Sequence, residues 1–140
     1  MVKKLREYNS IIFDCDGVIL DSNKIKTNAF YDVAKNYDEE AAIKLVEFHR
    51  ANGGISRYEK FALFINELLP NKNEINKETI LTKLLNEYKQ EVKNGLLNCN
   101  ICSDLDLLKN FTKKISWSVV SGGDEKEINF IFKKRNIDFY

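Results

Sequence analysis

Two acids stand directly after a short apolar run: Ser10-Ile-Ile-Phe13 ends at Asp14-Cys15-Asp16-Gly17-Val18. Carboxylates two residues apart suit a site where one attacks or holds a cation while the other moves protons. Gly17 allows a tight turn that carries Asp16 back over such a site. As plain strand and turn endings the two acids would repel each other, and a bound cation would relieve that repulsion. Complementary chemistry lies far along the chain, where Ile115-Ser-Trp-Ser-Val-Val120 closes on Ser121-Gly122-Gly123-Asp124. A hydroxyl and glycine amides ahead of a helix make a cradle for phosphate oxygens. An ordinary strand-to-helix turn uses the same residue types. The second run therefore gains its meaning from the first: acids at one strand end, anion donors at the other.

Both runs are short, rich in β-branched or aromatic residues, and closed by polar or glycine residues, as covered strands of an α/β sheet are. Ligands of such sheets gather at the carboxyl ends of the strands. The sequence between the runs reads as helix. Asp21-Ser-Asn opens a helix to about Tyr37, with Ile25, Ala29 and Val33 on one face. A second runs from Asp38 to Arg50 with Ala42, Leu45, Val46 and His49 together, stopped by Gly53-Gly54. Ser56-Arg-Tyr-Glu59 is a capping box for a third, whose stripe is Phe61, Phe64, Ile65 and Leu68 and whose end is Pro70. Asn76 caps a fourth, with Ile80, Leu81, Leu84, Leu85, Tyr88 and Val92 inward and Gly95 as its stop. A short helix after Ser103 carries Leu105, Leu108 and Phe111, and a last one near Asp124 buries Ile128, Ile131 and Phe132. One crossover helix is enough to join two parallel strands. The surplus helices then form an insertion, giving an α/β core of residues 1–21 and 98–140 around a helical module of 22–97.

Composition narrows the function classes. The 140 residues carry 22 basic and 21 acidic side chains, a net charge of +1 that gives no broad grip on nucleic acid. A single Pro, six Gly and 11% aromatic residues exclude a disordered chain. No stretch approaches the roughly 18 apolar residues of a membrane span. The basic opening Met1-Val-Lys-Lys-Leu-Arg6 resembles a signal-peptide start, but Asp14 and Asp16 break the apolar run behind it, so a cytoplasmic location is expected. Cys99-Asn-Ile-Cys102 has the spacing of zinc and redox pairs without a second pair, and with Cys15 it reads as ordinary reduced thiols.

Phe13-Asp-Cys-Asp-Gly-Val-Ile-Leu-Asp-Ser22 resembles the first signature of the haloacid dehalogenase-like (HAD) phosphohydrolases, D-x-D-G-V-x-x-D-S. Trp117-Ser-Val-Val-Ser121-Gly122 is similar to their second, a hydrophobic strand ending in Thr or Ser. Cys15 stands where Phe or Leu is common. In the subgroup that includes phosphoglycolate phosphatase and β-phosphoglucomutase, a helical cap follows the first signature, as the insertion does here. The resemblance implies a partial Rossmann-like core of parallel strands with an inserted α-helical cap. It further implies that Asp14 attacks phosphorus to form an aspartyl-phosphate, while Asp16 protonates the leaving alcohol and then activates water. Mg²⁺ would bind the Asp14 carboxylate and the Asp16 main-chain carbonyl, and Ser121 with the Gly122 amide would hold the phosphoryl oxygens.

The family's lysine and its further acids normally lie well beyond the second signature, whereas this sequence ends at Asn136-Ile-Asp-Phe-Tyr140. Lys133 and Lys134 come too early for that lysine. The reading is of the N-terminal half of a phosphatase-like protein, whether by truncation, gene decay or partial expression. The missing strands would also leave an edge of the first strand unpaired, which favours aggregation. Within the insertion, His49-Arg-Ala-Asn-Gly-Gly-Ile-Ser-Arg57-Tyr-Glu-Lys-Phe61 is similar to a stretch in superfamily phosphatases that accompany surface-sugar synthesis. Arg57, at a helix start, is placed to reach a substrate phosphate or hydroxyl, or stands as a solvated first-turn arginine. His49 reads as a packed histidine. The expected activity is hydrolysis of a small phosphorylated metabolite, a sugar phosphate first among them. The rivals are a phosphosugar mutase of the same family and a non-catalytic module that retains Mg²⁺ or phosphate affinity.

Overall fold

A computed structural model describes residues 7–70, 76–112 and 114–138. The basic opening Met1–Arg6 and the last two residues lie outside that set. In chain order the elements are β1 (Ser10–Asp14), α1 (Asn23–Ala34), α2 (Glu39–Ala51), α3 (Arg57–Leu63), α4 (Lys77–Asn98), α5 (Leu105–Phe111), β2 (Ser116–Val120) and α6 (Glu125–Lys134). Two compact units result: Met1–Asn23 with Leu96–Tyr140, and Lys24–Gly95. The boundaries read from the sequence, 21/22 and 97/98, differ from these by two residues.

In the α/β unit, β1 and β2 pair in parallel with Ile11 opposite Trp117, Phe13 opposite Val119 and Asp14 opposite Val120. Successive side chains alternate between faces, so Ile11, Phe13, Trp117 and Val119 share one. On that face the Phe13 and Trp117 rings lie 4.8 Å apart, and the buried Trp117 indole donates to Thr112 Oγ1 at 3.0 Å. The other face carries Ile12, 66% exposed, and Val120, 62% exposed. The sequence led us to expect strands covered on both sides, and this is a correction. Among the described residues the sheet has two strands and one covered face.

The helical unit closes around aromatic rings. Phe30 lies 5.2 Å from Phe61 and 4.4 Å from Tyr88, ring centre to ring centre, with Phe64, Leu45 and Leu84 fully buried nearby in the same core. Its helix starts follow the capping residues. Asp38 accepts from Ala41 N at 2.7 Å, Ser56 from Glu59 N at 3.2 Å, and Asn76 from Thr79 N at 3.1 Å. α3 continues through a π-helical segment, Phe64–Leu68, before the extended Leu69. That widened turn swings the stripe by one residue: Leu69 is buried, whereas the expected Leu68 is only half-buried.

Three further expectations are corrected. α1 ends at Ala34 rather than near Tyr37. Phe111 on α5 is 44% exposed, not part of the core. α4 does not stop at Gly95 but runs on to Asn98. Gly95 is needed there for room, because a Cβ at that position would collide with the Ile25 side chain of α1.

Candidate functional site at the strand ends

The α/β unit brings Asp14, Asp16, Ser121 and Gly122 into one small region. Asp14 is the last residue of β1 and is paired with Val120, so Ser121 and Gly122 follow at the adjacent, parallel strand end. Asp14 is exposed, and its Oδ1 accepts from the Cys15 amide at 2.7 Å. The chain then turns sharply. The Cys15 carbonyl accepts from Ile19 N and Leu20 N, each at 3.0 Å, and Gly17 N donates to the Leu20 carbonyl at 2.7 Å. Gly17 has φ +75°, and a Cβ there would run into the Asn23 side chain. A residue with a side chain would therefore meet both backbone strain and a clash at this point.

That turn fixes Asp16. Its Oδ1 accepts from Ser22 Oγ at 2.6 Å, and Ser22 is fully buried. The loop is tied down by a segment distant in sequence: Cys102 N donates to the Ile19 carbonyl at 2.9 Å and Asp21 N to the Asn100 carbonyl at 3.0 Å. The Cys99–Cys102 segment thus acts here through its backbone. All three cysteines are free thiols, and Cys99 Sγ accepts from the Arg135 guanidinium at 3.3 Å.

On the β2 side, Ser121 Oγ accepts from Gly123 N at 3.1 Å, which leaves its hydroxyl hydrogen to donate elsewhere. Asp124 caps α6, accepting from Lys126 N at 3.0 Å and Glu127 N at 3.2 Å. A cleft of about 550 Å³ lies beside β2 and α6, with Trp117, Val119, Ser121, Gly123 and Phe132 in its lining. Asp14 and Asp16 do not line it.

The oxygens at this strand end suit a hard cation in kind: a carboxylate from Asp14 and a main-chain carbonyl from Asp16. Mg²⁺ commonly takes one or two protein oxygens and completes its shell with water and substrate phosphate. Among the described residues no group of three or more His, Cys, Asp and Glu side chains is placed to enclose a metal.

Arg57 belongs to the helical unit, apart from these four residues in the division of the chain. It opens α3, half-buried, with its guanidinium 5.5 Å from the Tyr58 ring centre and 5.9 Å from that of Tyr88. Both rings lie within cation–π range of the guanidinium. Two features escaped the sequence reading. The Ser22–Asp16 bond could have been found from the polar residue closing the first signature. The burial of Lys60 in α3 has no local signal, because a lysine in an amphipathic helix reads as solvent-facing.

The crystal structure of a protein assigned as a β-phosphoglucomutase from Thermotoga maritima superposes with a TM-score of 0.60 at 18% sequence identity, over 92% of this chain. The chain spans 56% of the length of that protein, and at this identity the likeness is one of fold. No curated protein matches the sequence. Among the described residues no helix is long and apolar enough to cross a membrane. The family of haloacid dehalogenase-like hydrolases matches residues 11–140, from within β1 through both strand ends to the last residue, and the chain belongs to that family.

Proposed function

We propose that the chain supplies the nucleophile, the acid–base group and the phosphate cradle of a Mg²⁺-dependent phosphomonoester hydrolase. Its substrate is a small phosphorylated metabolite of the cytoplasm, and sugar phosphates are the first class to try. The observation that carries this reading is the strand-end register: Asp14 ends β1 beside Val120, with Ser121 and Gly122 next in the chain. An attacking carboxylate and the donors for phosphoryl oxygens therefore start from neighbouring, parallel strands.

An Asp14 oxygen forms a bond to phosphorus as the bond to the leaving alkoxide breaks. The alkoxide takes its proton from the Asp16 carboxyl, leaving an aspartyl-phosphate on Asp14 and a carboxylate on Asp16. Asp16 then takes a proton from water as that water attacks phosphorus, which releases phosphate and restores the Asp14 carboxylate. Ser22 holds Asp16 at 2.6 Å, limiting the orientations from which it can serve both steps. The Ser121 hydroxyl and the Gly122 amide donate to the phosphoryl oxygens as charge redistributes. Mg²⁺ held by the Asp14 carboxylate and the Asp16 carbonyl would offset the repulsion between carboxylate and phosphate.

The test is Mg²⁺-dependent phosphate release from an aryl phosphate by the full chain, with folding checked by circular dichroism. Release should vanish in Asp14→Asn and fall by about 10²–10⁴-fold in Asp16→Asn. Ser22→Ala should lower it less, by loosening Asp16. Folded protein that neither releases phosphate nor captures beryllofluoride, a phosphoryl mimic, at Asp14 would overturn the proposal.

A further inference from the structure

Two thiols flank the segment that ties down the Asp16 turn. Cys99 follows the end of α4 and is half-buried; Cys102, three residues on, is exposed, and both are free thiols. The Cys99 thiol donates to the Leu96 carbonyl at 3.6 Å. The Arg135 guanidinium, on α6's C-terminal side, donates to that same carbonyl at 2.9 Å and to Cys99 Sγ at 3.3 Å. Reactive cysteines occur in partly exposed, electropositive surroundings of this kind. Between the thiols, Ile101 pairs antiparallel with Leu20. The bonds that make this pairing are the two already described, from Cys102 N to the Ile19 carbonyl and from Asp21 N to the Asn100 carbonyl. The Ile19–Asp21 stretch leads directly into Ser22, whose hydroxyl holds Asp16.

We propose that Cys99 and Cys102 are a reversible oxidation site for a small-molecule disulfide, and that closing the pair releases the turn that carries Asp16. The exposed Cys102 sulfur, as thiolate, attacks one sulfur of the small disulfide, expels a small thiol and is left in a mixed disulfide. Cys99, as thiolate, then attacks the Cys102 sulfur and expels the second small thiol. Two protein thiols are oxidised, one small disulfide is reduced, and the two thiol protons end on the two small thiols. The geometry couples this step to the turn. The pairing holds Asn100–Cys102 extended, and three extended residue steps span about 10 Å. A disulfide needs its two Cα atoms within about 7 Å. The pair therefore closes only as the chain bends at Asn100–Ile101, which breaks the bonds to Ile19 and Asp21. Any effect on hydrolysis through Asp16 rests on the function proposed above, whereas the oxidation and the release of the turn do not.

The full chain is equilibrated with mixtures of reduced and oxidised glutathione, and its thiols are mapped by alkylation and peptide mass spectrometry. The proposal predicts a Cys99–Cys102 disulfide that forms in one transition and is reversed by dithiothreitol, while Cys15, 2% exposed, stays reduced. On oxidation the Asp21 and Cys102 amide hydrogens should exchange several-fold faster with solvent, and reduction should restore their protection. Cys99→Ser should stop at the mixed disulfide on Cys102, with neither closure nor faster exchange. Arg135→Gln should move the transition to more reducing mixtures, because the reduced Cys99 sulfur loses its donor. The proposal is overturned if the folded parent chain forms no Cys99–Cys102 disulfide at any glutathione ratio, or if the disulfide forms and exchange at Asp21 and Cys102 does not change. Both decisive readings come from the unsubstituted chain, so a variant that fails to fold does not affect them. Neither depends on phosphate release, so this test stands apart from that of the proposed hydrolase.

Discussion

The two units bury their apolar residues very differently. In the helical unit Phe30, Phe61 and Phe64 are at most 2% exposed, and apolar side chains left in solvent are few, Ile43 and Tyr58 among them. In the α/β unit Tyr8, Ile12, Val18, Leu107, Phe111, Val120 and Phe130 are all exposed, and the sheet has a single covered face. Helices carry their backbone hydrogen bonds within themselves, so a few of them can close a core with side chains alone. A two-stranded sheet leaves backbone edges and one face unfinished. The contrast bears on the chemistry, because the proposed nucleophile sits on the less enclosed unit. The strand-end turn is nonetheless rigidly tied, by Ser22, Leu20 and the backbone of 100–102. Local hydrogen bonding and the burial of Cys15, Ile19, Leu20 and Ser22 together hold the turn that carries Asp16.

The contrast yields graded expectations. Phe61→Ala removes a side chain that is 0% exposed from the aromatic core, and should cost about 3–5 kcal/mol in denaturant unfolding followed by helical circular dichroism. A loss below about 1 kcal/mol would show that the helical core is not closed as described. Gly95→Ala pits a helix-propensity gain of about 1 kcal/mol against a clash with Ile25. Ile25 is β-branched and stiff, so overpacking should win, with a net loss of about 1–2 kcal/mol that disappears in the Ile25→Ala background.

The pH dependence of stability sharpens the same contrast. His49 titrates near 4 when folded and near 6.5 when unfolded, so the unfolded chain binds the extra proton between those values. Stability from this group is complete above about pH 6.5 and is lost as pH falls toward 4. The span corresponds to an upper bound of about 3 kcal/mol, and solvent around a half-buried ring reduces it to about 1–2. His49→Gln should flatten the helical signal's dependence over that window. A slope unchanged in the variant would place the titrating group elsewhere. The smallest effect is expected at the open sheet face. Ile12→Thr should stay within about 0.5 kcal/mol of the parent, read through the fluorescence of Trp117, the chain's only tryptophan and a member of the α/β unit. A larger loss would mean that Ile12 is covered in solution.

Much of this architecture was legible locally. The capping residues Asp38, Ser56 and Asn76 mark helix starts because their side chains compete for the first free amides, and the structure shows those bonds. The two strands were legible from apolar runs that end on polar residues. Gly95 was misread because its neighbour Ile25 lies seventy residues earlier, and a helical glycine beside a close partner looks like a stop. The exposed face of Ile12 and Val120 was misread because continuous apolar runs do not reveal how many layers cover them. At the strand ends, residue types and order disclosed Asp14, Asp16, Ser121 and Gly122 as candidates. Lys60 stayed hidden, since its burial depends on three helices meeting and not on its own neighbours in sequence.

The central claim is that Asp14 carries the phosphoryl group. The most direct measurement is chemical trapping of the acyl-phosphate: the chain reacts with an aryl phosphate and Mg²⁺, is quenched and reduced with borohydride, and its peptides are analysed by mass spectrometry. Reduction turns a phosphorylated aspartate into homoserine. The account predicts homoserine at position 14 and nowhere else, absent when substrate is omitted and absent in Asp14→Asn. Homoserine at another aspartate, or phosphate release that persists undiminished in Asp14→Asn, would contradict it.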